Sequence, residues 1–319
     1  MNILILGGAG FLGNGLVRAC LAQGGNHVVV VDSLEPSLRS DKANLSETLD
    51  SIEFVQGDIR DMPLLKDLVK GQDLVFNCAA QTSHTQSIAE PVFDAEINCI
   101  GNLNVLEAMR TENPEAVVAY PSTSTVIGKA LTEAIDEDHL ERPLEIYSAH
   151  KGVAEKHYQI YSQVHNLKTM VLRFANLYGP YGKSFPEFGF LNYFIHLANT
   201  GQDITVYGEG GQDRNVMFLD DAANILLQCA TDPRLYGGIY FATHHEHLNV
   251  SQIAHQIVET FQRGQVVTVE WPEERRRIEI DSVRFSSAKL REITGWSPKY
   301  SFAEGLASTK QTLEKMAVA

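Results

Sequence analysis

The chain opens Met1-Asn-Ile-Leu-Ile-Leu-Gly-Gly-Ala-Gly-Phe-Leu-Gly13, and the reading of every later segment depends on this stretch. Ile3 to Leu6 is a short apolar run of strand formers, the kind buried on both faces of a parallel sheet. Gly7, Gly10 and Gly13 follow at intervals of three, and a helical apolar pattern (Phe11, Leu12, Leu16, Val17) begins among them. A strand that turns through glycines into a helix gathers bare backbone N–H groups and a positive helix end at one point. That is a site for a pyrophosphate. Glycine is needed because a Cβ would obstruct both the tight turn and the approach of the phosphate.

The next strand sharpens this. After the turn Gly24-Gly25-Asn26, His27 to Val31 reads as a buried strand ending at Asp32. An acidic residue about 20 positions beyond the glycines accepts hydrogen bonds from an adenosine ribose and repels a 2′-phosphate. Asp32 therefore points to NAD rather than NADP as cofactor.

With 319 residues the chain can bury a large core, as one big α/β domain or as two lobes. Apolar residues make up 44% and charged ones 21%, ordinary for a soluble enzyme. The net charge of −14 disfavours nucleic acid and anionic membrane as partners. Cys20, Cys78, Cys99 and Cys229 have no paired spacing, so neither a disulfide framework nor a zinc site is indicated. No apolar run approaches membrane-spanning length, and the opening residues read as strand one rather than a signal peptide. The expected compartment is the cytoplasm.

Strands and helices alternate through the first half. Strands are expected at Ile52 to Val55, Asp73 to Cys78, Ala116 to Tyr120 and Thr169 to Phe174. Helices are expected at Leu64 to Lys70, Val92 to Met109 and from Ser148 to Val164. Repeated βα units of this kind predict a Rossmann-type, doubly wound parallel α/β sheet. After about residue 175 the rhythm breaks: Gly179-Pro180-Tyr181-Gly182 is a turn and Phe185 to Phe190 an aromatic loop. Short strands at Ile204 to Tyr207 and Val266 to Trp271 then mix with helices at Leu219 to Ala230, Val250 to Phe261 and Ser287 to Ile293. The expected division is a dinucleotide-binding domain over 1–175 and a smaller α/β substrate-binding lobe over 176–319, with an interleaved boundary.

Tyr147-Ser148-Ala149-His150-Lys151 places a phenol and an ammonium four residues apart on one helix face. A free tyrosine has a pKa near ~10, so only about one in a thousand is ionised at neutral pH. A nearby ammonium and a cationic nicotinamide could lower that pKa by ~3, worth roughly 4 kcal/mol, and leave a general base for a sugar or alcohol hydroxyl. Just upstream, Ala116 to Tyr120 runs into Pro121-Ser122-Thr123-Ser124-Thr125-Val126-Ile127-Gly128. Hydroxyls at the carboxyl end of a strand point into the crevice, and one can relay a proton to Tyr147.

Taken in order, Gly-x-x-Gly-x-x-Gly, Asp32, Gly57-Asp58-Ile59, Ala79-Ala80, the hydroxyl run, Tyr-x-x-x-Lys and Leu172-Arg173-Phe174-Ala175-Asn176 resemble the extended short-chain dehydrogenase/reductase family, specifically its nucleotide-sugar epimerases and dehydratases. The resemblance covers essentially the whole chain. It implies that Phe11, Leu12, Asp32, Asp58, Ile59, Ala79 and Ala80 line NAD and that Thr123, Tyr147 and Lys151 are catalytic. It further implies that Ser124, Thr125, Asn176, Tyr207, Arg214, Arg276 and Glu279 face a nucleotide sugar, a UDP-sugar above all, and that the chain forms a homodimer through the helices Val92 to Met109 and Ser148 to Val164. The sequence departs from the family's pattern at Leu6, where Thr or Ser is usual, at Ile127 in place of an aromatic residue, and at Ser286 in place of an aspartate.

The leading reading is an NAD-dependent nucleotide-sugar 4-epimerase. A 4,6-dehydratase or decarboxylase shares its first step. A catalytically silent NAD-binding regulatory protein is the reading from another class. In similar dehydratases an Asp–Glu pair follows the catalytic threonine, whereas Ser124 and Thr125 stand here; a carboxylate such as Glu187 would have to reach in from the second lobe. His244-His245-Glu246-His247 is read as a polar loop rather than a metal site, because adjacent side chains cannot all turn to one ion. Glu273-Glu274-Arg275-Arg276-Arg277 is read as a solvated loop that contributes one phosphate-binding arginine.

Overall fold

A computed structural model describes residues 1–132, 134–273 and 282–318. Its strands in chain order are β1 (Asn2–Leu6), β2 (His27–Asp32), β3 (Glu53–Gln56), β4 (Leu74–Asn77), β5 (Val117–Thr123), β6 (Ala134–Ile135), β7 (Lys168–Phe174), β8 (Asn176–Tyr178), β9 (Ile204–Tyr207), β10 (Asp213–Phe218), β11 (Ile239–Ala242), β12 (His247–Asn249), β13 (Val266–Val269) and β14 (Arg284–Phe285). The helices used below are α1 (Phe11–Ala22), α2 (Met62–Leu68), α3 (His84–Ala89), α4 (Pro91–Ala95), α5 (Asn102–Glu112), α6 (Ile146–His165), α7 (Phe190–Asn199), α8 (Leu219–Ala230) and α9 (Val250–Phe261).

Among the described residues, seven strands form one parallel sheet in the order β11-β7-β5-β4-β1-β2-β3. The order reverses direction at β1, between β4 and β2, which opens a crevice at the carboxyl ends of those strands. Alternation along β1 sends Ile3 and Ile5 to one face and Leu4 and Leu6 to the other. On the first face α1 and α8 supply Leu16, Val17, Ile225 and Leu226. On the second, α2, α5 and α6 supply Leu65, Leu106, Met109 and Tyr158. Each such side chain contributes roughly 1.5–3 kcal/mol by leaving water, so the sheet is held from both sides.

A further apolar cluster packs α7, α9 and the helix Phe302–Val318 around β9 and β10. The chain crosses position 175 in both directions: β11 completes the large sheet beside β7, and β6 pairs with β14. Three features differ from the sequence expectation. The run Ile239–Ala242 is a seventh sheet strand that the sequence reading did not place. The expected aromatic loop Phe185 to Phe190 ends at Gly189, since Phe190 already begins the helix α7, which the sequence reading did not place. The helix expected over Val92 to Met109 is interrupted by a π-turn at Glu96–Gly101. There the buried Asn98 and Asn102 turn inward; Asn98 Nδ2 donates to Gln81 O at 3.0 Å and Asn102 Nδ2 to Asn98 O at 2.8 Å.

Candidate active site

The glycine turn fits a dinucleotide for reasons visible atom by atom. Gly7 has φ +77°, and a Cβ there would lie 2.6 Å from the backbone N of Ala79, so the turn and the end of β4 touch directly. A Cβ at Gly13 would lie 2.2 Å from Gly7 O, which is how closely α1 seats on the turn. Gly10 begins α1 with no side-chain cap and no acidic residue in the first turn, leaving its N–H groups and positive end open to an anion. At the tip of β2, Asp32 accepts from Ala9 N at 3.0 Å, Leu34 N at 3.0 Å and Ser40 Oγ at 2.9 Å. A carboxylate has about four acceptor positions, so capacity remains for a ribose hydroxyl. Asp58 is engaged by Arg60; burial would raise its pKa, but the Arg60 guanidinium and backbone N–H hold it below the usual carboxylate range.

The same cleft holds the candidate catalytic group. Thr123 ends β5, and its Oγ1 accepts from Thr125 N at 3.2 Å, which shapes the turn Ser124–Ile127. Val126 and Ile127 root that turn in a cluster with Ile135, Phe241, Val283 and Phe285, so the aliphatic Ile127 is buried. Tyr147 and Lys151 lie one turn apart on α6 and are both buried. Lys151 Nζ donates to Pro121 O at 2.9 Å and sits 4.0 Å above the Tyr120 ring. Burial lowers its pKa to about 8, against the opposing pull of Glu155, Cys78 and Asp94. Burial likewise raises the Tyr147 phenol above its ordinary range, helped by the charges of Glu145 and Asp94 and opposed by a hydrogen bond with Thr123. Burial, with the charges of Glu145 and Asp94, therefore favours the phenol form of Tyr147, and the depression expected from the Tyr-x-x-x-Lys spacing needs added positive charge in the cleft.

One cleft of about 380 Å³ gathers Gly7, Gly10, Phe11, Leu12, Gly13, Asp32, Asp58, Ile59, Ala79 and Ala80 with Thr123, Ser124, Thr125, Tyr147 and Lys151. Asn176 of β8 and Arg214 of β10 line it from the other side. Tyr207 does not line it; its ring lies 5.4 Å from that of Trp271. Arg276 and Glu279 lie outside the described residues, as does most of the Arg-rich run. Glu187 stays off the cleft lining and faces Arg39 at 3.8 Å. Lys183 and His84 are among the cleft residues that sequence reasoning missed. Lys183 donates to Thr82 Oγ1 at 3.2 Å, and burial lowers its pKa to about 8. His84 meets the Tyr147 ring edge-on, with centroids 5.2 Å apart. Neither carries a spacing signal, because its partners are brought near by the fold.

A glycine turn under an uncapped helix, an aspartate at the tip of β2 and a buried Tyr–Lys pair define a dinucleotide-dependent enzyme of the extended short-chain dehydrogenase/reductase class. The chain belongs to the NAD dependent epimerase/dehydratase family, whose model matches residues 3–241. It is 30% identical to the UDP-glucose 4-epimerase of Mycolicibacterium smegmatis, over 97% of each chain. It is also 30% identical to the dTDP-glucose 4,6-dehydratase of Streptomyces niveus, over 97% of this chain and 91% of that protein. Among solved structures, the UDP-glucose 4-epimerase of Thermus thermophilus in complex with NAD superposes with a TM-score of 0.86 at 28% identity, over 98% of this chain and 99% of that one. The cofactor of the chain is NAD, in keeping with the donor and acceptor set of the glycine turn and Asp32. No helix among the described residues is long and apolar enough to cross a membrane.

Proposed function

We propose that the protein is a nucleotide-sugar 4-epimerase acting on a UDP-sugar. The observation that carries this reading is the convergence of Thr123, Tyr147 and Lys151 on the cleft that holds the glycine turn, with hydroxyls rather than carboxylates at Ser124 and Thr125. NAD, when bound, supplies reversible hydride storage, so oxidation at sugar carbon 4 and its reversal on the other face need no outside redox partner. Thr123 hydrogen-bonds the 4-oxygen, and Tyr147 takes and returns its proton. Lys151 contributes positive charge that favours the phenolate. Ser124 and Thr125 offer hydrogen bonds to a pyranose while it turns over. Asn176 and Arg214 face the substrate half of the cleft, where Arg214 suits a pyrophosphate. Tyr207 and the run containing Arg276 and Glu279 are assigned to the nucleotide by the resemblance.

A 4,6-dehydratase is the second reading. It is favoured by one contact: Glu145, two residues before Tyr147, brings a carboxylate within 2.9 Å of Ser148 Oγ, which in turn reaches Thr125. The test is the product from a panel of nucleotide sugars deuterated at carbon 4. Epimerisation gives unchanged mass with the label still on carbon 4. A product lighter by one water or one carbon dioxide overturns the assignment.

Two further proposals complete the reading. The active form is a homodimer, supported by apolar side chains exposed on adjoining helices: Val92, Ile100, Val153, Ile160 and Val164. The enzyme works in the cytoplasm, a compartment that suits its four free cysteines.

A further inference from the structure

The segment 179–189, between β8 and α7, is a strap that reaches back from the second lobe to the elements around the glycine turn. Asn192 of α7 ties its base: Gly179 N donates to Asn192 Oδ1 at 3.2 Å, and Asn192 Nδ2 donates to Leu177 O at 3.3 Å. Further along, the strap is held at three places. The Arg18 guanidinium of α1 lies 4.5 Å from the centre of the Tyr181 ring, and Tyr181 Oη lies 3.5 Å from Glu47 Oε2. Beyond β2, the Arg39 guanidinium stacks 3.8 Å over the Phe185 ring and sits 3.8 Å from Glu187. Beyond β4, Lys183 Nζ donates to Thr82 Oγ1 at 3.2 Å.

Lys183 also lines the cleft. Among the described residues it has the Thr82 hydrogen bond and the Phe188 ring, 4.1 Å from Nζ, but no carboxylate in ion-pair contact. An ammonium has three donors, so two stay open to a ligand. Withdrawing a cation from water is costly without a counter-charge, and burial lowers the pKa of this one. The sheet order fixes where it stands. Thr82 follows β4, and Asp32, whose charge acts on Lys183, ends β2; β1 and its glycine turn lie between them. The turn and the uncapped start of α1 offer neutral N–H groups and a helix end worth roughly half an elementary charge, against a doubly anionic diphosphate. A full positive charge is what that set of donors lacks.

We propose that Lys183, held over the glycine turn by the strap 179–189, is the cation that binds the pyrophosphate of NAD. The proposal rests on the NAD cofactor and not on which sugar reaction the enzyme performs. A nucleotide sugar brings a pyrophosphate of its own, but Asn176 and Arg214 line the cleft for it, whereas the charges that act on Lys183 are those of Asp32 and Arg39, at and just beyond the end of β2. Because the strap is fastened to α1 and to the segments that follow β2 and β4, its hold on the cofactor should also slow release of NAD.

The full chain, stripped of NAD, is titrated with NAD by calorimetry over a range of ionic strength, beside Lys183→Met, Lys183→Gln and Lys183→Arg. Both neutral variants should bind NAD about 10–100-fold more weakly, the range of one charge-assisted hydrogen bond. Their affinity should fall less steeply with added salt than that of the wild type, because one screened contact is gone. Lys183→Arg should keep the wild-type salt dependence. NAD should leave the loaded neutral variants correspondingly faster, while their affinity for UDP, the probe for the nucleotide sugar, should stay unchanged. Wild-type NAD affinity in the neutral variants overturns the proposal. So does weaker binding with an unaltered salt dependence, which marks a packing defect in the strap. A loss confined to UDP gives the cation to the nucleotide sugar and overturns it as well. Every readout is binding, so a wild-type enzyme that converts no sugar in the panel overturns the epimerase reading alone.

Discussion

Tyr147 and Lys151 share one helix face but not one set of partners. The ammonium is engaged by Pro121 O and the Tyr120 ring, while the phenol faces Thr123 and the charge of Glu145. Replacing Tyr147 by Phe removes the proton acceptor and little else, so turnover should fall by about 10²–10⁴-fold with nucleotide-sugar affinity nearly intact. Single-turnover kinetics beside calorimetry checks both halves. Lys151 yields a pH prediction. Burial depresses its folded pKa to about 8, so the cation is fully present below that pH and is lost as pH rises through it. Affinity of the stripped protein for anionic NAD should weaken between pH 7 and 9, and Lys151→Met should flatten that dependence. A wild-type affinity constant over the range would remove Lys151 as a source of cleft charge.

At the scale of elements, the junction of β1 with α1 is the least forgiving part of the chain. The helix seats so closely on the glycine turn that a methyl at Gly13 has nowhere to go but into Gly7 O. Gly13→Ala should therefore cost about 1–3 kcal/mol in chemical denaturation, the usual range for overpacking, and should weaken NAD binding more than it weakens the fold. A variant as stable and as tight as wild type would show that the helix can shift freely. The π-turn Glu96–Gly101 carries the other structural commitment, because its inward asparagines tie α4 and α5 to the end of β4. Asn77 Nδ2 donates to Asn102 Oδ1 at 2.9 Å, which fixes the strand beside Ala79 and Ala80.

For the whole molecule, the apolar side chains on the outer helices set the prediction. Val153, Ile160 and Val164 are 42%, 49% and 63% exposed on α6, and Val92 is 71% exposed on the neighbouring α4. Patches of this kind mark association surfaces. Light scattering at micromolar concentration should give twice the chain mass, and Val153→Glu with Ile160→Glu should give monomers. A monomeric wild type removes the dimer proposal. The net charge of −14 is spread over a protein whose cleft lining carries Lys151, Lys183 and Arg214 beside Asp32 and Asp58, so the cleft is less acidic than the chain as a whole.

The sequence by itself determined what depends on neighbours along the chain. Strand-turn-helix at Gly7 to Gly13, the acidic end of β2, the βα rhythm and the four-residue step from Tyr147 to Lys151 all arise from local geometry and short periods. For that reason they were legible as a Rossmann-type sheet, an NAD cofactor and a candidate catalytic pair. Only the tertiary structure decided what depends on distant segments meeting. The seventh strand is four residues long and acquires its identity from pairing with β7. Tyr207 carries a family signature, yet the fold sets it beside Trp271 and off the cleft lining. His84 and Glu145 stand 61 residues apart and become a pair because α3 packs against the start of α6. The ionisation of Tyr147 follows the same rule: the spacing put an ammonium near it, but desolvation and the charge of Glu145, which no short-range pattern encodes, set the direction of its pKa.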